Sequence, residues 1–177
     1  MTLIAIIKKL RNGDRESAKD LYLYSHRLLY STALCYVSDE STAKDILQNT
    51  YVKIYKNIDQ VQLVSNAMIM GWMKKICINE ALSLVRKKHN WDKLQFNETE
   101  EAYHQQYDFE YQQLYEMIYK LPEQQRICFS LFAIEGYSHK EIANKLNVQE
   151  AYSRTLVSRA RKQLATMLPK EMIHEAS

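Results

Sequence analysis

The sequence predicts an all-α protein: two small helical domains joined by a flexible acidic linker, the C-terminal one holding a helix-turn-helix. Three observations carry this expectation. The 177 residues include three Gly and two Pro, too few for the tight turns of an all-β chain. Apolar residues recur at helical spacing through most of the chain. The net charge of +3 is unevenly spread: residues 1–88 carry 14 basic and 8 acidic side chains, residues 89–113 carry 1 and 6, and residues 114–177 carry 9 and 7. Two positive blocks flanking an acidic connector is the sign pattern of two nucleic-acid-facing modules on a tether. Chance clustering in a polar linker gives the same signs. The expected divisions are 1–88, 89–110 and 111–177.

Residues 2–12 read as a short amphipathic helix ended by Gly13, with Asp14 placed to cap the next. Residues 15–37 form a long helix whose apolar stripe includes Ala18, Leu21, Tyr22, Tyr24, Leu28, Leu29, Ala33 and Leu34. Ser38–Ser41 is a turn, and Thr42 with Asp45 marks a third helix start. In that helix Leu47, Tyr51, Ile54 and Ile58 share one face and are expected to be buried. Asp45, Gln48, Asn49 and Val52 lie nearly opposite. One carboxylate, two amides and a valine suit a protein interface with a few directional hydrogen bonds, or plain exposure to solvent.

Residues 59–70, DQVQLVSNAMIM, show no period and read as a partly ordered loop. It is open either to receiving an unstacked base or to folding Val64, Met68 and Met70 onto the core. Gly71 is expected to break the chain before a helix from Trp72 to Lys88, with Ile76, Cys77, Leu82 and Val85 inward. Its cations include Lys74, Lys75, Arg86, Lys87 and Lys88, the last three also favoured by the helix dipole. His89 to about Phe109 is the aperiodic, acidic linker. Another helix starts in residues 110–120, and Pro122 sits at a first helical position. Ile127, Cys128, Leu131 and Phe132 make a stripe able to cover the C-terminal helix pair.

Gly136–Leu168 reads as two helices and a tight turn. Ser138 and Glu141 form an S-x-x-E capping box. Ile142, Ala143 and Leu146 face inward, and Asn147 suits a left-handed helix end. In the second helix Leu156, Val157, Ala160, Leu164, Met167 and Leu168 gather on one side, with Pro169 as the stop. Arg154, Thr155, Ser158, Arg161 and Lys162 gather on the other. A short turn between two helices with a basic outer face suits the DNA major groove, and equally an ordinary helical hairpin with a solvated basic face.

Other classes fare poorly. The cysteines Cys35, Cys77 and Cys128 form no C-x-x-C and read as reduced, cytosolic thiols. The five histidines form no cluster, and neither H-E-x-x-H nor G-x-S-x-G occurs. No catalytic residue, metal or cofactor is expected. Neither a signal peptide nor a membrane span is read from the apolar runs.

The residues resemble a known family, the small bacterial sigma factors of the extracytoplasmic-function group of the sigma-70 family. GDRESAKDLY, STAKDILQNTYVKIYKNI and GWMKKICINEALSLVRKK look like the family's region two; LPEQQRICFSLFAIEGYSHKEIANKL and SRTLVSRARKQL look like region four. The resemblance covers nearly the whole chain. It implies a sigma subunit, not an enzyme, that binds core RNA polymerase, directs it to promoter DNA and helps to open it. It implies a cytoplasmic location and an anti-sigma partner, often membrane-anchored.

By residue, the resemblance assigns polymerase docking to Asp45, Gln48, Asn49 and Val52. It assigns the minus-ten element to Ser65, Asn66, Trp72, Lys74, Lys75, Arg86 and Lys87, with a flipped-base pocket in Ser65–Met70. It assigns the minus-thirty-five element to Ser138, His139, Lys140, Tyr152, Ser153, Arg154, Thr155, Ser158 and Arg161. Four positions depart from the family pattern: Lys44 for a usual Glu, Ser83 for an Asp, Tyr152 for a Thr, and Leu156 for a polar residue. Two other readings stand beside it: a stand-alone helix-turn-helix regulator reading an operator, and a helical interaction module without a nucleic-acid role.

Overall fold

The Thr2 side chain accepts from the Ala5 N–H and opens the first helix, α1 (Leu3–Arg11). In the computed structural model, which describes residues 1–88 and 115–167, every regular element among those residues is helical. The acidic linker expected at 89–110, the onset of the helix after residue 110, and Leu168 with its Pro169 stop lie outside the described residues. The chain divides into two compact units, Met1–Val85 and Arg86–Ser177.

In the first unit α1 packs on α2 (Ser17–Leu34), and α2 on α3 (Glu40–Lys56). A 3-10 turn (Ile58–Gln60) leads to α4 (Asn66–Lys88). Leu3, Ile6 and Ile7 of α1, Leu21, Leu29 and Ala33 of α2, Ile46 and Ile54 of α3, and Ile69, Met73, Cys77 and Ile78 of α4 are buried.

Between α1 and α2, Gly13 at φ +87° makes the left-handed turn that a side chain would strain. The N-cap of α2 is Glu16, which makes no side-chain cap bond; Asp14, expected to cap, lies two residues earlier and steadies the turn by accepting from the Glu16 N–H at 3.1 Å and the Ser17 hydroxyl at 2.8 Å. Arg11 reaches across the unit and donates to the carbonyls of Ile58 (2.6 and 3.0 Å) and Val61 (2.5 Å). It thereby pins the segment before α4.

The stripe of α2 differs from the expected one. Tyr22 and Tyr24 are exposed, and the buried line runs through Ser17, Leu21, Ser25, Leu29, Thr32 and Ala33. Ser25 and Thr32 can lie inside a helix contact because each returns its proton to a carbonyl one turn back. Ser25 donates to the Leu21 carbonyl at 2.7 Å and Thr32 to that of Leu28 at 2.8 Å. The Tyr51 hydroxyl of α3 then meets Ser25 Oγ at 2.8 Å, and burial pushes the Tyr51 phenol well above its ordinary pKa.

Two helix starts also differ. The cap of α3 is Asp39, which accepts from the Thr42 N–H at 2.8 Å, so Thr42 lies inside the first turn. Residues 66–70, expected in a loop, form the first turns of α4, which runs unbroken through Gly71. Ser65 supplies the start: its hydroxyl accepts from Met68 N–H and its carbonyl from Ile69 N–H, both at 3.1 Å. Gly71 has no Cβ clash to avoid, and an isolated Gly is tolerated inside a helix at a modest cost.

In the second unit residues 115–119 are helical, and α5 (Glu123–Phe129) follows with Pro122 as its N-cap, one position earlier than expected. The helix widens over Ser130–Ile134, where the Glu135 N–H bonds to the Ser130 carbonyl at 3.1 Å. After Gly136 (φ +75°) come α6 (His139–Leu146) and α7 (Glu150–Met167), and α7 packs against both α5 and α6. Ile127, Cys128, Leu131, Ile142, Leu146, Leu156, Val157 and Ala160 are buried. Ile118 and Leu121 pack with Ala160 and Leu164. Arg126 is buried as well; its Nη1 donates to the Tyr119 carbonyl at 3.0 Å, with the guanidinium 4.8 Å over the Tyr119 ring.

Candidate nucleic-acid and polymerase interfaces

The helix-turn-helix is set by its two ends. Ser138 Oγ accepts from the Glu141 N–H at 3.3 Å, and the Glu141 carboxylate accepts from the Ser138 N–H at 2.8 Å and hydroxyl at 2.7 Å. These bonds hold the Glu141 carboxyl below its ordinary value. At the other end Asn147 adopts φ +57°, ψ +51°, and Val148 N–H closes on the Ala143 carbonyl at 3.0 Å. Three residues then separate α6 from α7.

With Leu156, Val157, Ala160 and Leu164 against the core, α7 turns Arg154, Thr155, Ser158, Arg161 and Lys162 outward, all exposed. Arg154 Nη2 donates to Glu150 Oε1 at 2.5 Å, and Thr155 Oγ1 to the Ala151 carbonyl at 3.0 Å. The Arg161 guanidinium lies 5.2 Å over the ring of Phe132, which stacks on His139 at 4.4 Å. Phe132 is therefore the hub that draws Arg161 and His139 together. The sequence showed it only as a core residue. Ser138 and Lys140 are exposed beside it. Burial, then the nearby Arg154, lowers the His139 pKa below its ordinary value.

Ser153 does not belong to this surface. It is fully buried, and its hydroxyl meets His139 Nδ1 at 3.1 Å. It lies on the same side of α7 as Val157 and Ala160, so it joins the two helices and touches nothing outside. Tyr152 is half-buried, and its hydroxyl donates to Gln124 Oε1 of α5 at 2.7 Å. Leu156, one of the departures from the family pattern, is a core residue.

On α4, the helical period gathers Met68, Trp72, Lys75, Asn79 and Arg86 into one stripe, with Lys87 beside it. Met68, Lys75, Asn79, Arg86 and Lys87 are exposed and Trp72 is half-buried. Lys74 is half-buried and lies well off this stripe. Asn66 Oδ1 accepts from the Ile4 N–H of α1 at 3.1 Å, so its amide ties two helices together. Val64 (64% exposed) and Met68 (55%) stand in solvent rather than in the core, on either side of Ser65. Asn79 is not among the residues expected from sequence. Its signal was its place seven residues after Trp72.

On α3, Asp45, Gln48, Asn49 and Val52 are all exposed, and Leu47, Tyr51, Ile54 and Ile58 are buried behind them. Lys44 pairs with Glu40 at 3.0 Å at the edge of this face. Among the described residues no group of His, Cys, Asp and Glu could hold a metal ion. Burial pushes the thiols of Cys77 and Cys128 up to about 12, far from reactive thiolate.

Comparison with known families assigns residues 21–91 to Sigma-70 region 2 and residues 111–164 to Sigma-70, region 4. The chain belongs to the sigma-70 family, in its extracytoplasmic-function group. As a sigma factor it binds RNA polymerase and directs promoter-specific initiation of transcription, with DNA binding through region 4. This sigma factor is similar to the RNA polymerase sigma factor SigZ of Bacillus subtilis, 27% identical over 157 residues that span 85% of this chain and 86% of the relative. The RNA polymerase sigma-H factor of Pseudomonas aeruginosa is 24% identical over 173 residues, 88% of each chain. Among solved structures, the sigma factor RpoE in complex with the anti-sigma factor NepR from Bartonella quintana aligns at 24% identity and a TM-score of 0.47. That alignment covers 82% of this chain and 92% of that one. No helix of the described residues is long and apolar enough to cross a membrane.

Proposed function

We propose that residues 1–88 serve as region two and residues 111–177 as region four of a sigma factor that also melts the promoter, acts in the cytoplasm and carries out no chemistry itself. The observation that carries this reading furthest is the capped helix-turn-helix. Its second helix is held by an apolar side and turns Arg154, Thr155, Ser158 and Arg161 outward. Such a helix can enter the major groove. There Arg154, Thr155, Ser158 and Arg161 read the minus-thirty-five element, Ser138, His139 and Lys140 contact its backbone, and Tyr152 braces the helix against α5.

In region two, Asp45, Gln48, Asn49 and Val52 dock on core polymerase. Trp72, Lys75, Arg86 and Lys87 hold the minus-ten strand, with Lys74 and Asn66 in supporting places. The exposed Val64 and Met68 flank Ser65 where an unstacked base needs an apolar rest. Two weakly binding modules carried on one chain and one polymerase surface make the second contact effectively intramolecular. An anti-sigma protein is the partner that holds the free chain inactive.

The test is to mix the purified chain with core polymerase and candidate promoters, then probe unpaired thymines with permanganate. One-to-one assembly with reactive thymines around the minus-ten element is expected. Assembly with a closed duplex would remove melting from the reading, and no assembly would favour a stand-alone DNA-binding regulator.

A further inference from the structure

Among the residues of α7 there is one acidic side chain, Glu150, and it shares the face of the proposed readers. Glu150 opens the helix, and its carboxylate accepts from Arg154 Nη2 at 2.5 Å. At about 100° per residue, Glu150, Arg154, Ser158 and Arg161 fall within one arc of roughly 80°. Both members of the pair reach solvent, with 42% of the Glu150 side chain and 63% of that of Arg154 exposed.

A carboxylate on a surface meant for DNA subtracts from phosphate attraction. What it can add is discrimination. An ionised carboxylate only accepts hydrogen bonds, and a guanidinium only donates them. In the major groove cytosine presents its N4 amino donor, and guanine its O6 and N7 acceptors. A carboxylate held beside a guanidinium is the complement of that pattern. The two residues stand about 6 Å apart along the helix axis, under two base steps of about 3.4 Å. We propose that Glu150 and Arg154 form a joined reading pair: Glu150 accepts from the N4 amino group of a cytosine, and Arg154 donates to O6 and N7 of a guanine in the same or the neighbouring base pair. Their mutual bond pre-orders both side chains, so less rotamer freedom is lost on binding. The inference rests on α7 being the reader of the minus-thirty-five element.

A pair that merely steadied the helix would be indifferent to base identity, and this difference is measurable. Holoenzyme assembled from the full chain and core polymerase is offered a promoter library randomised through the minus-thirty-five element, and the bound fraction is sequenced. Wild type should enrich a cytosine and a guanine at the same or adjacent base pairs. Glu150→Gln should erase the cytosine preference by about tenfold and bring in adenine, which glutamine reads, with the guanine preference kept. Glu150→Ala should lose the cytosine preference without replacement and bind random duplex more tightly at low salt. If both variants return the wild-type base profile, Glu150 only stabilises the helix and the reading pair is overturned, while α7 stands as the reader. A wild type without any base preference in this element overturns α7 as the reader as well.

Discussion

Ser138 and Glu141 show how much one residue can decide. Their reciprocal bonds satisfy donors that the first turn of α6 would otherwise leave open. Ser138→Ala should cost about 1 kcal/mol, read as faster hydrogen exchange of the α6 amides. The same bonds set a pH dependence. They depress the Glu141 carboxyl, so the folded unit binds fewer protons than the unfolded chain. The stabilising contribution is therefore full above the ordinary carboxyl value of 4.5 and is lost as pH falls through the lower folded value. Ser138→Ala should flatten that acid limb, and an unchanged limb would assign it to other carboxylates. At Asn147 the backbone is left-handed, which a β-branched residue tolerates poorly. Asn147→Gly should keep the melting temperature within a few degrees, whereas Asn147→Val should lower it clearly.

Helix faces carry the next layer of information. On α4 the stripe from Met68 through Trp72 and Lys75 to Arg86 comes from the 3.6-residue period, but its starting point does not. The segment 59–70 mixes apolar and polar residues without a period, so a loop was the natural expectation. Ser65 capping Met68, Asn66 bonded to Ile4, and Arg11 pinned to Ile58 and Val61 instead organise it from a distance. Lys75 and Lys74 looked equivalent in the sequence, and only Lys75 shares the stripe of Trp72 and Arg86. Lys75→Ala should weaken promoter binding nearly uniformly across sequences and reduce the slope of log affinity against log salt by about 1. A salt titration of holoenzyme on duplex promoter checks this; an unchanged slope would place Lys75 away from phosphate.

For the assembled protein, function depends on faces that the core leaves free. The α3 residues Leu47, Tyr51 and Ile54 are drawn inward, and this turns Asp45, Gln48, Asn49 and Val52 outward as one patch. Asp45→Arg should reduce core polymerase affinity by about tenfold through charge reversal at the interface, with unchanged circular dichroism. Competition for core polymerase against the wild-type chain measures it, and equal competition would mean that another face docks. The extra cation Lys44 is already paired with Glu40 at the rim of this patch. An exposed i,i+4 pair of this kind contributes only a few tenths of a kcal/mol, so it is broken at little cost.

The sequence by itself determined the all-α class, the sites of the chain's main turns, the capping box and left-handed Asn147 of the helix-turn-helix, and the family. Each depends on local chemistry or on spacing within one segment. Tertiary structure alone decided which hydroxyls and aromatics face inward. Ser153 and Arg154 are neighbours in a run of plausible DNA readers. Yet Ser153 is buried against His139 while Arg154 is free to reach out with Glu150. Tyr22 and Tyr24 looked like core and are exposed, with Tyr22 lying against the outer side of the Tyr51 ring at 5.3 Å, while the small Ser25 is the buried partner of the Tyr51 hydroxyl. A polar side chain can be buried wherever a partner from another element meets its hydrogen bond. Which elements meet is a property of packing across the chain, which no single segment contains.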